Sequence, residues 1–180
     1  MAIAERMLRA AKLESELYEE VEKDESATME ALYVVVIVAL ASGIGAALSG
    51  AARGNVVLAL IGGVIAAVLG WVVWAAITYF IGTRLLGGTA TLGEMLRTLG
   101  YAQAPGVLRI FAFIPGLGTL ISIVVAIWML VAGVIAIRQA LDFSTGRAIV
   151  TVLLGWLAAL ILSVVLALLG LGAAFIVGGA

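Results

Sequence analysis

Residues 101–118 read YAQAPGVLRIFAFIPGLG, and the topology of the chain turns on them. They hold both prolines, Pro105 and Pro115, with Arg109 between them among apolar residues. Just upstream, TLGE (91–94) fits a capping box, in which Thr91 and Glu94 satisfy each other's backbone donors, so a helix is predicted from Leu92. Carried through Ile114 it rises about 34 Å, enough to cross a hydrocarbon core of about 30 Å. Pro105 leaves the carbonyl of Tyr101 without its usual donor, which predicts a kink. On its own, GVLRIFAFI rises only about 14 Å, half a span.

Four apolar runs flank this stretch, at about 29–49, 56–84, 117–138 and 146–171. Each reaches the roughly 20 residues a spanning helix needs. Ser26 is a candidate N-cap for the first run, and Asp142 or Ser144 for the last. Charge decides whether 92–114 is a further crossing, because basic residues gather on the cytoplasmic side. With five crossings and the N-terminus inside, Arg6, Arg9, Lys12, Lys23, Arg84, Arg97, Arg138 and Arg147 lie inside, and only Arg53 outside. With four, Arg138 and Arg147 change sides. The five-crossing arrangement is therefore expected, in the cell membrane, with a short third crossing kinked at Pro105. Arg109 either snorkels toward the inner surface or faces a polar cleft among neighbouring helices.

Composition agrees with a membrane protein. Of 180 residues, 64% are hydrophobic and 12% charged. Cysteine and histidine are absent, which removes disulfides, thiolate nucleophiles and histidine-dependent metal, haem or acid–base sites. No P-loop pattern occurs, and no lysine follows Lys23. Glu94 and Asp142 are the only acids after Glu30, and neither falls mid-membrane, where ion-coupled carriers usually hold a carboxylate. No catalytic residue, cofactor or metal ligand is expected, and a net charge of −1 gives no attraction for nucleic acid.

The first 25 residues are acidic and lack the pattern of a secretory signal, so they are expected to belong to the mature protein. Ile3, Met7, Ala10, Leu13, Leu17 and Val21 recur at three- and four-residue steps, predicting one amphipathic helix. It either packs on its own bundle or docks a partner. The fold class is all-α: a five-helix transmembrane domain over 26–180 preceded by this helix at 1–25.

Small residues at four-residue spacing let membrane helices approach closely. Ala41-Gly45-Ser49, Gly62-Ala66-Gly70 and Gly155-Ala159-Ser163-Ala167 form such ridges, for packing within the chain or between copies. Trp71, Trp74, Trp128 and Trp156 do not all fall at span ends. On the five-crossing path Arg84, Glu94, Arg97, Arg138, Asp142 and Arg147 share the cytoplasmic interface. Glu94 with Arg97, and Arg138 with Asp142, are spaced to pair. This cluster either fixes the structure or receives a partner's acidic segment or a lipid headgroup.

The order of these features, with GG-x-x-T-x-x-E-x-L-R-x-x-x-Y-A-x-x-P from Gly87 to Pro105 and STGRA from Ser144 to Ala148, resembles the bacterial branch of the Yip (Ypt-interacting protein) domain family. The resemblance implies five spans and a cytoplasmic N-terminus. It marks Glu94, Arg97, Tyr101, Pro105, Ser144, Gly146 and Arg147 as pattern positions. Eukaryotic relatives bind small GTPases, but this chain lacks the D-L-Y-G-P motif of that branch, so GTPase binding is not expected. The expected role is a non-enzymatic scaffold or accessory subunit, with the bilayer and other membrane proteins or a second copy as partners. The alternative is a small transporter for a lipid or other apolar solute, gated by the kinked segment.

Overall fold

The computed structural model describes residues 2–50 and 54–168, and all regular structure among them is helical. The elements are α1 (Ile3–Ala11), α2 (Ser15–Lys23), α3 (Ala27–Leu48), α4 (Val56–Phe80), α5 (Leu92–Tyr101), a 3₁₀ segment (Ala104–Phe113), α6 (Gly118–Ala140) and α7 (Thr145–Leu168). A π turn, Ile81–Leu85, extends α4. Four helical stretches are long and apolar enough to cross a membrane: Ala27–Leu48, Val56–Leu85, Gly118–Ala140 and Thr145–Ala167. Arg53, and the predicted end of the last span at 169–171, lie outside the described residues.

The proline-bearing segment departs from the kinked helix its sequence predicts. The α-helix stops at Tyr101, four residues before Pro105, where the missing proline N–H breaks the ladder. Bonding tightens to three-residue steps, with the N–H of Gln103 donating to Gly100 (3.2 Å) and that of Gly106 to Gln103 (2.7 Å). Ten residues of 3₁₀ helix follow, well beyond the usual three or four.

Its neighbours show what the change achieves. Gly100 abuts Ala31, Gly106 abuts Val38 and Met129, and Gly45 abuts the carbonyl of Arg109. The segment thus runs parallel to α3 for most of its length. Between Ala31 and Gly45, α3 rises about 21 Å. Nine residues, from Gly100 to Arg109, keep pace, which suits a rise of about 2.0 Å per residue and not 1.5 Å. Glycine is needed at both contacts, since a Cβ on Gly45 would strike the Arg109 carbonyl and one on Gly106 would strike Val38.

The N-terminal region is two helices where one is predicted. After α1, Leu13 takes φ 64°, and the chain turns. The N–H of Leu13 donates to Ala10 and that of Glu14 to Arg9 (3.0 and 3.2 Å), the paired bonds of a Schellman cap. Leucine is an uncommon residue in left-handed backbone; here its side chain packs on the core. The predicted apolar stripe survives the break. Ala10, Leu17 and Val21 are fully buried, and Ile3, Met7 and Leu13 pack beside them.

We call the end holding α1, α2 and the α6–α7 junction basal, and the end holding the Phe113–Gly118 turn distal. The core is basal. Tyr18, Tyr101, Leu17, Met95, Ile137, Leu141 and Val34 are fully buried there. In α4 only Trp71, Ala75 and Thr78 are buried, all in its basal half. Gly155 of α7 packs on Trp74 and Thr78. Beyond it, the described residues of α7 are exposed or half-buried, Ala159 and Ser163 included. The Gly62-Ala66-Gly70 ridge is likewise left open by its own chain; a Cβ on Gly70 would meet nothing.

Candidate functional site

The basal end gathers the polar side chains, and Arg6 is their centre. It is 8% exposed. Its guanidinium donates to Glu30 of α3 (2.9 Å) and to Glu20 (3.1 Å) and Asp24 (2.9 Å) of α2 and the turn after it. Tyr101 of α5 donates to the same Glu30 oxygen (2.5 Å). Arg9, one helical turn from Arg6, binds Glu14 (2.9 Å) and Glu20 (2.8 Å). Four helices, α1, α2, α3 and α5, are thus joined through two arginines. Desolvation alone would lower the Arg6 pKa, but the hydrogen bonds it donates to Asp24 and Glu30 more than offset it and raise it. Hydrogen bonding to Arg9 and then Arg6 holds the Glu20 carboxyl below its ordinary value, despite some desolvation. Asp24 is held low by its bonds to Ser26 and Arg6.

The six predicted cluster residues sit at this end but do not pair as their spacing suggests. Arg97, 7% exposed, reaches away from Glu94 to the carbonyls of Val21 (3.0 Å) and Glu22 and to Thr28 (3.4 Å). It therefore caps the C-terminal end of α2, where a cation meets the negative end of the helix dipole. Glu94 is occupied in the capping box with Thr91, which forms as its sequence predicts. Asp142 does not pair with Arg138. It holds the left-handed position (φ 54°) of a second Schellman cap after α6 and accepts from Thr89 (2.9 Å). Arg138 binds Gln139 (2.9 Å), which donates to Glu19 of α2 (2.8 Å). Arg147 stacks on Phe143, 4.2 Å from the ring centre. Arg84 is exposed in the π turn, with no ionic partner among the described residues.

Some of the pattern positions fall on structural duties. Tyr101 holds Glu30 and Pro105 ends the α-helical ladder. Ser144 and Gly146 are exposed at the start of α7. Among the described residues, Glu22 has the one carboxyl pushed upward. Desolvation first, then Glu94 and Asp142, raise it to about 7. Among the described residues no group of acids is placed to hold a metal ion. Sequence reasoning missed the Arg6 network, because its bonded partners lie up to 71 residues apart. Its only local signal was Glu30, an acid in the first turn of an apolar run.

At the distal end, Arg109 faces a cleft of about 650 Å³ between α3, the 3₁₀ segment and α6. Of the two predicted placements this is the second; Arg109 lies beside Gly45, far from the basal surface. Ser42, Ser49, Thr119 and Ser122 line the same cleft.

A protein-family model, the Yip1 domain, matches residues 14–168. No curated protein and no solved structure matches the chain.

Proposed function

The chain belongs to the Yip1 domain family, and from that premise we propose a non-enzymatic membrane protein of five crossings that serves as a scaffold or accessory subunit. The family and the four long apolar helices make it a multi-pass membrane protein. The fifth crossing is the 92–114 segment, supported by its parallel course beside α3. The basal end is cytoplasmic, supported by Arg6, Arg9, Lys23, Arg84, Arg97, Arg138 and Arg147, which belong to the elements gathered there. The topology is tested with a single cysteine, which the chain lacks. Leu117 is the better site, because neighbouring Gly116 has φ 80° and favours glycine. In sealed cells, Leu117→Cys should react with an impermeant reagent from outside; reaction only after lysis overturns the fifth crossing.

The scaffold reading is carried by α4. Of its most apolar eighteen residues only 6% are buried, against 33% for α3. A span so little used by its own bundle offers its small-residue ridge to another helix, of a partner or a second copy. The absence of histidine and cysteine supports a non-enzymatic role, and no feature favours a GTPase or nucleic acid as partner. Purification from native membranes in mild detergent, with mass spectrometry, should return a stoichiometric partner or a homo-oligomer. A lone monomer overturns the reading.

One observation favours a second reading, a transporter of apolar solute. Cavities of about 320 and 220 Å³ adjoin at Trp74, Met129 and Gly133, and the first also touches Gln103 at the head of the 3₁₀ segment. Solute flux by the purified chain in liposomes would favour it over the scaffold.

A further inference from the structure

The distal cleft has the features of a ligand site and no duty in the fold. It measures about 650 Å³, within the range of small-molecule pockets. Arg109 is its one cation among the described residues. No hydrogen bond or ion pair engages the guanidinium among them, whereas every buried arginine at the basal end is anchored. Ser42 and Thr119 place hydroxyls beside it, the Ser49 and Ser122 hydroxyls donate to the carbonyls of Ala46 and Gly118 (both 2.8 Å), and Phe113, Ile114 and Ala46 supply apolar wall. The first turn of α6, which no side chain caps, opens on the same space and adds its positive end.

An arginine beside the hydroxyls of Ser42 and Thr119 fits a tetrahedral oxyanion, because the guanidinium takes two oxygens and these hydroxyls donate to the others. Depth selects among oxyanions. Arg109 lies beside Gly45, three residues before the end of α3, so about 5 Å from the end of that span. On the five-crossing path this is the level where phospholipid phosphates meet the hydrocarbon. We propose that the cleft binds a phosphate group through Arg109, the phosphodiester of an outer-leaflet phospholipid being the form present at that depth.

Only the depth argument rests on the five-crossing path, and the Leu117→Cys labelling reports that path separately. The binding test uses the intact purified chain in detergent. Native mass spectrometry with added phosphatidylglycerol should show one retained lipid. Arg109→Gln should reduce the retained fraction about tenfold or more, the effect of losing a charge-assisted bond. Arg109→Lys should fall between them, and basal Arg84→Gln should match wild type. A second arm adds millimolar inorganic phosphate to lipid-stripped protein. If phosphate raises the unfolding temperature of wild type but not of Arg109→Gln, while lipid retention is insensitive to the substitution, the site takes free phosphate. If Arg109→Gln, folded by gel filtration, matches wild type in both arms, the proposal is overturned.

Discussion

The basal and distal ends of this molecule treat arginine in opposite ways. Basal Arg6 and Arg97 are buried, and their guanidinium groups tie helices together. Distal Arg109 is half-exposed, and its guanidinium ties nothing together among the described residues. The helices follow the same division: α4 and α7 pack on each other near Gly155 and Trp74, and their described residues are mostly exposed further out. A charge withdrawn from water must be matched by partners, so the basal arginines are fixed by the fold. A charge left at the membrane surface has no such debt and is free to meet a ligand.

The largest effect should come from breaking the basal network. Removing Arg6 leaves Asp24 and Glu30 without their counter-charge and Glu20 with Arg9 alone. Loss of one partner of a fully buried pair costs about 3–5 kcal/mol, and these carboxylates are roughly a third exposed, so Arg6→Ala should cost about 2–4 kcal/mol. The same truncation at Arg109 should stay within about 0.5 kcal/mol, as for most surface changes. Detergent-solubilised protein titrated with denaturant and followed by tryptophan emission reads both. Trp128 is a local reporter, since its indole donates to Ala11 of α1 (2.7 Å). Equal losses for the two variants would break the comparison.

A glycine pair tests the same contrast in packing. A Cβ on basal Gly100 would lie 2.7 Å from the Ala31 Cβ and 3.2 Å from its Cα and carbonyl oxygen. Overpacking against backbone makes Gly100→Ala cost about 1–3 kcal/mol. Gly70→Ala has open space and should be neutral or gain up to about 1 kcal/mol from helix propensity. Ala31→Gly should recover part of the Gly100→Ala loss, which a double-mutant cycle measures.

How much of this was legible in the sequence depends on the range of the interaction. The four long helices are read from length and apolarity, and the Thr91–Glu94 box from a four-residue pattern. The break after Tyr101 was visible in Pro105, but the switch to 3₁₀ helix was not. It follows from the need to match the length of α3, a tertiary demand. Leu13 failed as a signal for similar reasons, because glycine or asparagine, not leucine, is the residue expected to close a Schellman cap. The six residues of the polar cluster lie at one end of the molecule, but not in the pairs that their spacing suggests. Local spacing suggested Glu94 with Arg97, but the uncapped carbonyls of α2 are a better match for a buried guanidinium, and they lie about 75 residues away.

The smallest and most specific prediction concerns pH. Glu22 stands at the basal end of α2 with Glu19 and Lys23 on its own helix and Glu94 and Asp142 facing it, and desolvation and these acids raise its pKa from 4.5 to about 7. Between those values the folded protein holds a proton that the unfolded chain has released. Stability therefore falls as pH rises through this window, by the linkage of proton uptake to folding. Glu20 and Asp24 act in the reverse sense: their lowered values contribute stability above the unfolded pKa that is lost as pH falls through the folded one. Both remain in Glu22→Gln, so the difference between wild-type and variant unfolding curves isolates Glu22. That difference should be flat below about pH 4.5 and grow in favour of Glu22→Gln up to about pH 7, then level off. A difference that does not change with pH would mean that Glu22 is solvated like any surface acid, and that the basal end is less tightly closed than its arginines imply.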